Sequence, residues 1–186
     1  MSTTPLRVHL ACGNKILAGW VNVDSVQTQP DVVVHDLDKP LNFLKDDSVD
    51  YILMESALYF IKDINAFLLE IQRVLKVGGV FELKEPHFKN PSNKSIGYLR
   101  GFSWRGFQTY PYFYSPAKKL KIISNLLVVE SRIFPFTLLN KVANLTPKFW
   151  ERFCYCEAVS VKMQKTSYNN HGDDDVEKIR KKEAVI

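Results

Sequence analysis

The sequence predicts an α/β fold built on a doubly wound, mostly parallel sheet. Three observations predict it. Five short apolar runs, each bounded by Gly, Pro, Asp or Asn, punctuate the first ninety residues. Their apolar character is largely continuous rather than alternating, the habit of strands covered by helices on both faces. One amphipathic helix leads from the fourth run to the fifth, which makes a βαβ unit with an expected right-handed crossover.

The five runs are Arg7–Ala11, Trp20–Val23, Val32–His35, Val49–Met54 and Val80–Lys84. The helix is read from Ile64, Phe67, Leu68, Ile71 and Leu75, which form one stripe at helical spacing. Asp63 is its expected N-cap, and Gly78-Gly79 its expected stop. Only Cys12 to Gly19 separate the first two runs, and Ser25 to Asp31 the next two. A parallel crossover generally needs a dozen residues or more. The sheet is therefore expected to be trimmed of its early helices.

From Pro86 the character changes. Eight aromatic residues (Tyr98, Phe102, Trp104, Phe107, Tyr110, Tyr112, Phe113 and Tyr114) fall among Gly, Pro and Arg without clear periodicity. The expectation is an irregular aromatic insertion over 98–125, ending in a helix from Ser115 to about Asn125, with Ser115 as cap and Pro116 at the first position. Two further strands are expected at Leu126–Phe134 and Glu157–Lys165. One domain thus covers residues 1–165. A polar tail follows over 166–186, where Asp173–Asp175 and Lys178–Lys182 suit either a short helix or a disordered segment.

The chain of 186 residues has 46% hydrophobic and 24% charged residues, the composition of one ordinary globular domain. No apolar run is long enough to span a bilayer, and residues 1–5 show no secretory pattern. Three cysteines, Cys12, Cys154 and Cys156, argue against a disulfide framework and for a reducing cytoplasm. The histidines are scattered and Cys154-Tyr155-Cys156 lacks partners at zinc-ribbon spacing, so no metal site is expected. Residues 1–90 hold nine Lys/Arg against twelve Asp/Glu, whereas residues 91–186 hold sixteen against eight. The basic second half suits either a solvated surface or an anionic partner, nucleic acid included.

Candidate site residues cluster at the ends of the runs, where open α/β sheets bind ligands. Leu10-Ala11-Cys12-Gly13-Asn14 reads as a strand-to-loop turn in which small residues admit a ligand close to the backbone, or simply as a tight turn. Asp24 closes the second run, where an acid can accept from both ribose hydroxyls or cap a turn.

The segment from Leu10 to Asp24 as a whole resembles the opening of a compact, type-11-like group of class I S-adenosylmethionine (SAM)-dependent methyltransferases. The register continues through His35-Asp36-Leu37-Asp38-Lys39-Pro40-Leu41, Asp46-Asp47-Ser48-Val49-Asp50-Tyr51-Ile52 and Glu70 to Gly79. Pro86-His87-Phe88 resembles members associated with sugar and polysaccharide synthesis. The resemblance covers residues 6–90 well and the remainder loosely. It implies a Rossmann-like sheet of seven strands and SAM as cofactor. It also implies roles. Ala11, Cys12, Gly13 and Asn14 would pass under the methionine part, and Asp24 would hold the ribose. Asp36, with the Leu37 backbone, would bind the adenine amino group, Ser25 would line the adenine pocket, and Met54 would approach through its backbone. The chain departs from the group's pattern at Ala11, where a glycine is usual, at Val77, where a proline is common, and at Ser56 and Phe60, where relatives carry histidines.

Methyl transfer to a hydroxyl is helped by a general base. His87 and Glu55 are the candidates, and each also suits a structural place. The aromatic insertion, with Arg100 and Arg105, could either face an acceptor or close the core. The leading expectation is O-methylation of a sugar, glycan or other small-molecule acceptor by a cytoplasmic enzyme, with a homo-oligomer compatible with the trimmed sheet. The alternatives are a non-catalytic binding protein on the same fold and a nucleic-acid methyltransferase.

Overall fold

A computed structural model describes residues 4–90, 102–107, 116–128, 136–153 and 156–167. Seven strands form one sheet: β1 Arg7–Leu10, β2 Val21–Asp24, β3 Val32–Val34, β4 Val49–Glu55, β5 Leu75–Pro86, β6 Leu120–Val128 and β7 Ala158–Lys165, in the order β3-β2-β1-β4-β5-β7-β6. The pairs among β1 to β5 are parallel, and β7 runs antiparallel between β5 and β6. The chain starts mid-sheet, runs out to the β3 edge, then returns to β4. The carboxyl ends of β1 and β4 therefore part at a topological switch point, the ordinary ligand crevice of this architecture.

Helix α1, Ile64–Val74, forms because four of its residues, Phe67, Leu68, Ile71 and Val74, bury one face. Asp63 caps it by accepting from Ala66 N at 3.0 Å. The helix ends earlier than expected. Leu75 already begins β5, and Gly78-Gly79 lies inside that strand rather than stopping the helix. The pair makes a bulge where the register to β4 shifts between Val49 and Tyr51. Gly78 sits at φ +87°, and a Cβ on Gly79 would stand 2.9 Å from the carbonyl oxygens of Lys76 and Val49.

The two sides of the sheet differ. Val8, Leu10, Val23, Ile52, Met54, Phe81 and Leu83 pack with α1 into the core. The opposite side meets no helix from the early crossovers, because residues 11–20 and 25–31 form only turns. This is the trimming of early helices that the short crossovers predict. A half-buried ladder of side chains lines this side instead. The Arg7 guanidinium lies 5.8 Å from the Trp20 ring centre, and Trp20 meets Tyr51 edge-on at 5.7 Å. Tyr51 donates to Glu82, which pairs with Lys162 at 2.9 Å. The first crossover closes without a helix because the buried Asn22 amide accepts from Leu17 N and donates to the Leu17 and Trp20 carbonyls at 3.0–3.2 Å.

The expected helix over 115–125 is corrected: residues 120–128 are strand β6, and only 116–119 turn. Ser115-Pro116 imitates a helix start, but the β-branched Ile122 and Ile123 and a full ladder to β7 decide the outcome. The expected strand at 126–134 accordingly starts six residues earlier, and 129–134 lie outside the described residues. The strand expected at 157–165 is β7. Residues 104–107 form one helical turn, α2. Helices α3, Phe136–Leu145, and α4, Pro147–Phe153, had no counterpart in the sequence reading. Asn144 docks α3 on β6 by bonding Leu127 N at 2.8 Å and Leu127 O at 2.9 Å. The expected tail helix beyond 167, with Cys154, Arg100 and the aromatics at 98 and 110–114, lies outside the described residues. No helix among the described residues is long and apolar enough to cross a membrane.

Candidate cofactor and acceptor site

The turn after β1 is held from below. Cys12 N donates to Val23 O at 3.0 Å, and Gly13 N donates to Asp24 Oδ2 at 2.8 Å. Thr28 Oγ1 donates to Gly13 O at 2.6 Å. Both Ala11 and Gly13 take φ +52°, a left-handed conformation that explains why a glycine suits position 11. Open space stands over Gly13, since a Cβ built there meets nothing within 4 Å. Asn14 is exposed beside it. The Cys12 thiol is buried, and burial together with the Asp24 carboxylate pushes its pKa up, so it stays a protonated wall of the turn.

A cavity of about 190 Å³ opens beside this turn, lined by Ala11, Asp24, Ser25, Asp36, Leu37, Asp38, Ala57, Phe60 and Ile61. Five of the expected cofactor residues thus share one wall, brought together by β1, β2 and the segment after β3. Asp24 Oδ1 also accepts from Val26 N at 3.2 Å, which fixes the carboxylate toward the cavity side of its strand. Asp36 Oδ1 accepts from Asp38 N at 3.0 Å. Met54 keeps its side chain wholly in the core, with its backbone paired to Leu10 and Leu83.

A second, more polar cleft of about 370 Å³ lies at the carboxyl ends of β4 and β5, lined by Glu55, Ser56, Lys84, Pro86, Asn90, Glu157 and Ala158. Glu55 is ion-paired to Lys15, which reaches over from the turn after β1. A larger apolar cavity of about 450 Å³ lies beyond the 3₁₀ turn Leu58–Phe60, between α1 and α2 and away from Asp24 and Gly13.

His87 is placed differently from Glu55. It is fully buried, with Nε2 3.2 Å from Glu151 Oε1 and Nδ1 accepting from Lys89 N at 3.2 Å. Burial pushes Glu151 up, but hydrogen bonds from His87 and from the Trp104 and Arg105 backbone amides bring its pKa below the ordinary value. Glu151 Oε1 accepts a hydrogen bond from His87 Nε2, since Nδ1 is already engaged by the Lys89 amide. Both ring nitrogens are engaged, and His87 is not among the residues that line the polar cleft. Trp104, from the aromatic insertion, is buried with Phe107 in the core and donates from N to Glu151 at 2.5 Å.

Sequence reasoning missed Lys15, Thr28, Glu85 and Glu151. Glu85 did leave a signal: Phe81, Leu83 and Glu85 alternate on the core side of β5, and the third is an acid. Lys15, Thr28 and Glu151 leave none, because their partners are distant in sequence.

Residues 10–83 match a family model described as "Methyltransferase domain". Among solved structures, a chain of the complex between the Haloferax volcanii Trm112 methyltransferase activator and a methyltransferase is 18% identical, covers 87% of this chain and 83% of that one, and superposes with a TM-score of 0.60. A SAM-dependent methyltransferase from Archaeoglobus fulgidus is 10% identical, with coverage of 87% and 86% and a TM-score of 0.61. Another from Mesorhizobium loti is 16% identical, with coverage of 86% and 90% and a TM-score of 0.55. No curated protein matches the chain. The sheet order with its antiparallel seventh strand is the class I methyltransferase fold, and the segment that matches the methyltransferase model runs from the end of β1 into β5, the strands that form the crevice.

Proposed function

We propose that the chain transfers a methyl group from SAM to a hydroxyl of a sugar or glycan intermediate. The observation that carries this reading is a polar cleft flanking a nucleoside-sized cavity at the switch point of the sheet, with Glu55 at its wall. The residues present fit the cofactor. Two carboxylates, Asp24 and Asp36, offer acceptors to ribose hydroxyls and to an exocyclic amine. Leu37, Phe60 and Ile61 offer apolar surface to a base, and the space over Gly13 admits a chain passing close to the backbone. When bound, SAM supplies an electrophilic methyl on a sulfonium and departs as the thioether.

The protein's part is position and proton handling. Lys84, Asn90 and Glu157 present donors and acceptors of the kind that orient a polyhydroxylated acceptor. Glu55 takes the hydroxyl proton as the oxygen is alkylated, and Lys15 fixes its orientation. His87 acts from behind the cleft, by holding the 87–90 turn against α4 through Glu151. Incubation with radiolabelled SAM and a panel of sugar nucleotides and glycan acceptors tests this reading. Label transfer that falls by about 100-fold or more in Glu55→Gln supports it. Transfer to RNA or DNA instead, with binding that weakens steeply as salt rises, would make the acceptor a nucleic acid.

A further inference from the structure

Glu85 has no place in the chemistry above, yet it is the most deeply buried carboxylate among the described residues. It ends the core side of β5 with none of its surface exposed. Its Oε1 accepts from Ala57 N at 3.0 Å and from Leu58 N at 2.9 Å, while Oε2 is buried without a partner. The segment it grips is the one that turns off β4 into the cofactor cavity. Ser56 takes a left-handed φ of +55° there, and Ser56 N donates to Lys84 O at 2.8 Å. The 3₁₀ turn Leu58–Phe60 that follows has no side-chain cap from Ala57. Glu85 fills that office from another strand, taking the amides that the turn leaves open. Ala57, Phe60 and Ile61, on the same short segment, form one wall of the cavity lined opposite by Asp36 and Leu37.

We infer that Glu85 is a positioning residue for the cofactor: its carboxylate caps the turn after β4 from a distance and so sets the wall against which the nucleoside packs. This rests on the reading of that cavity as the SAM site. A purely structural acid would be expected to bind both oxygens into the fold. Here Oε2 is buried without a geometric hydrogen bond, and every amide that meets the carboxylate belongs to the segment 57–59 beside the cavity. Burial pushes its pKa up to about 7 and works against the charged form, so the carboxylate is held here at a cost.

The test is titration calorimetry of S-adenosylhomocysteine into wild type, Glu85→Leu and Glu85→Gln, with thermal unfolding of each. Glu85→Leu is expected to bind at least tenfold more weakly while remaining folded. Glu85→Gln keeps an oxygen where Oε1 stands and is expected to bind within about threefold of wild type. Should the leucine variant not fold, Glu85→Asp, which withdraws the carboxylate by one methylene, is expected to show the same loss. Wild-type affinity in the folded leucine variant, or in the aspartate variant, overturns the positioning role while leaving the cofactor site standing. Absence of binding by wild type itself refutes the cofactor site, and this role with it.

Discussion

Glu85 is a carboxylate that the fold holds against its preference, and that has a pH signature. Burial raises its pKa from 4.5 to about 7 in the folded protein, despite the amides of Leu58, Ala57 and Tyr59 that favour the anion. The unfolded chain releases this proton first, near 4.5. Between that pH and about 7 the folded state binds more protons than the unfolded one, so the contribution of Glu85 to stability falls as pH rises. The gap corresponds to roughly 3 kcal/mol. Glu85→Gln is therefore expected to match wild type at pH 4 and to exceed it in unfolding free energy by up to about 3 kcal/mol at pH 8, as measured by urea denaturation at each pH. A constant difference across that range would contradict the account. Retention of such a residue at a cost in stability is the ordinary mark of a site, where function and stability trade against each other.

Among the elements, the β4–α1–β5 unit carries the sharpest expectations. Asp63→Ala removes the cap on Ala66 N and is expected to cost about 1 kcal/mol. Gly79→Ala drives a Cβ against two backbone oxygens at 2.9 Å that no rotamer change can move, and is expected to cost about 2 kcal/mol or more. Denaturant midpoints of the two variants give the ranking directly. The same unit shows what the sequence made legible. The stripe from Ile64 to Ile71, the Asp63 cap and the apolar cores of β4 and β5 follow from local pattern, because each is written in a few consecutive side chains. The end of α1 is not written locally, since Gly78-Gly79 serves a bulge defined by a neighbouring strand. The strand character of residues 120–125 is hidden for the same reason: their partner, β7, lies about forty residues further along the chain. Thr146-Pro147 carries the local signature of a helix start, and Trp150 N donates to Thr146 O at 3.1 Å. In the candidate site, the placement of Asp24, Asp36 and the Gly13 turn beside one cavity follows from their position at strand ends. The burial of His87 was not, because Glu151 and α4 impose it from the far end of the chain.

Across the whole molecule, one side of the sheet is a packed core and the other is a half-buried ladder running from Arg7 to Lys162. The short early crossovers also place the cofactor turn on very little scaffolding: Asn22, Thr28 and Asp24 hold it by side-chain bonds rather than a helix. Stability should therefore be graded. Native-state hydrogen exchange is expected to find β1, β4 and β5 among the slowest amides and the three-residue edge strand β3 among the fastest. Uniform protection across the sheet would contradict that picture. The account as a whole rests on the crevice at the β1–β4 switch point being a SAM site. Its most direct test is calorimetric titration of the purified protein with SAM and with S-adenosylhomocysteine, repeated on Asp24→Ala, with circular dichroism to confirm the fold. The account predicts binding of both ligands by wild type and a loss of at least about tenfold in the variant, the scale of one charge-assisted hydrogen bond. A well-folded wild-type protein that binds neither ligand would contradict it, and would leave the methyltransferase fold in the service of some other function.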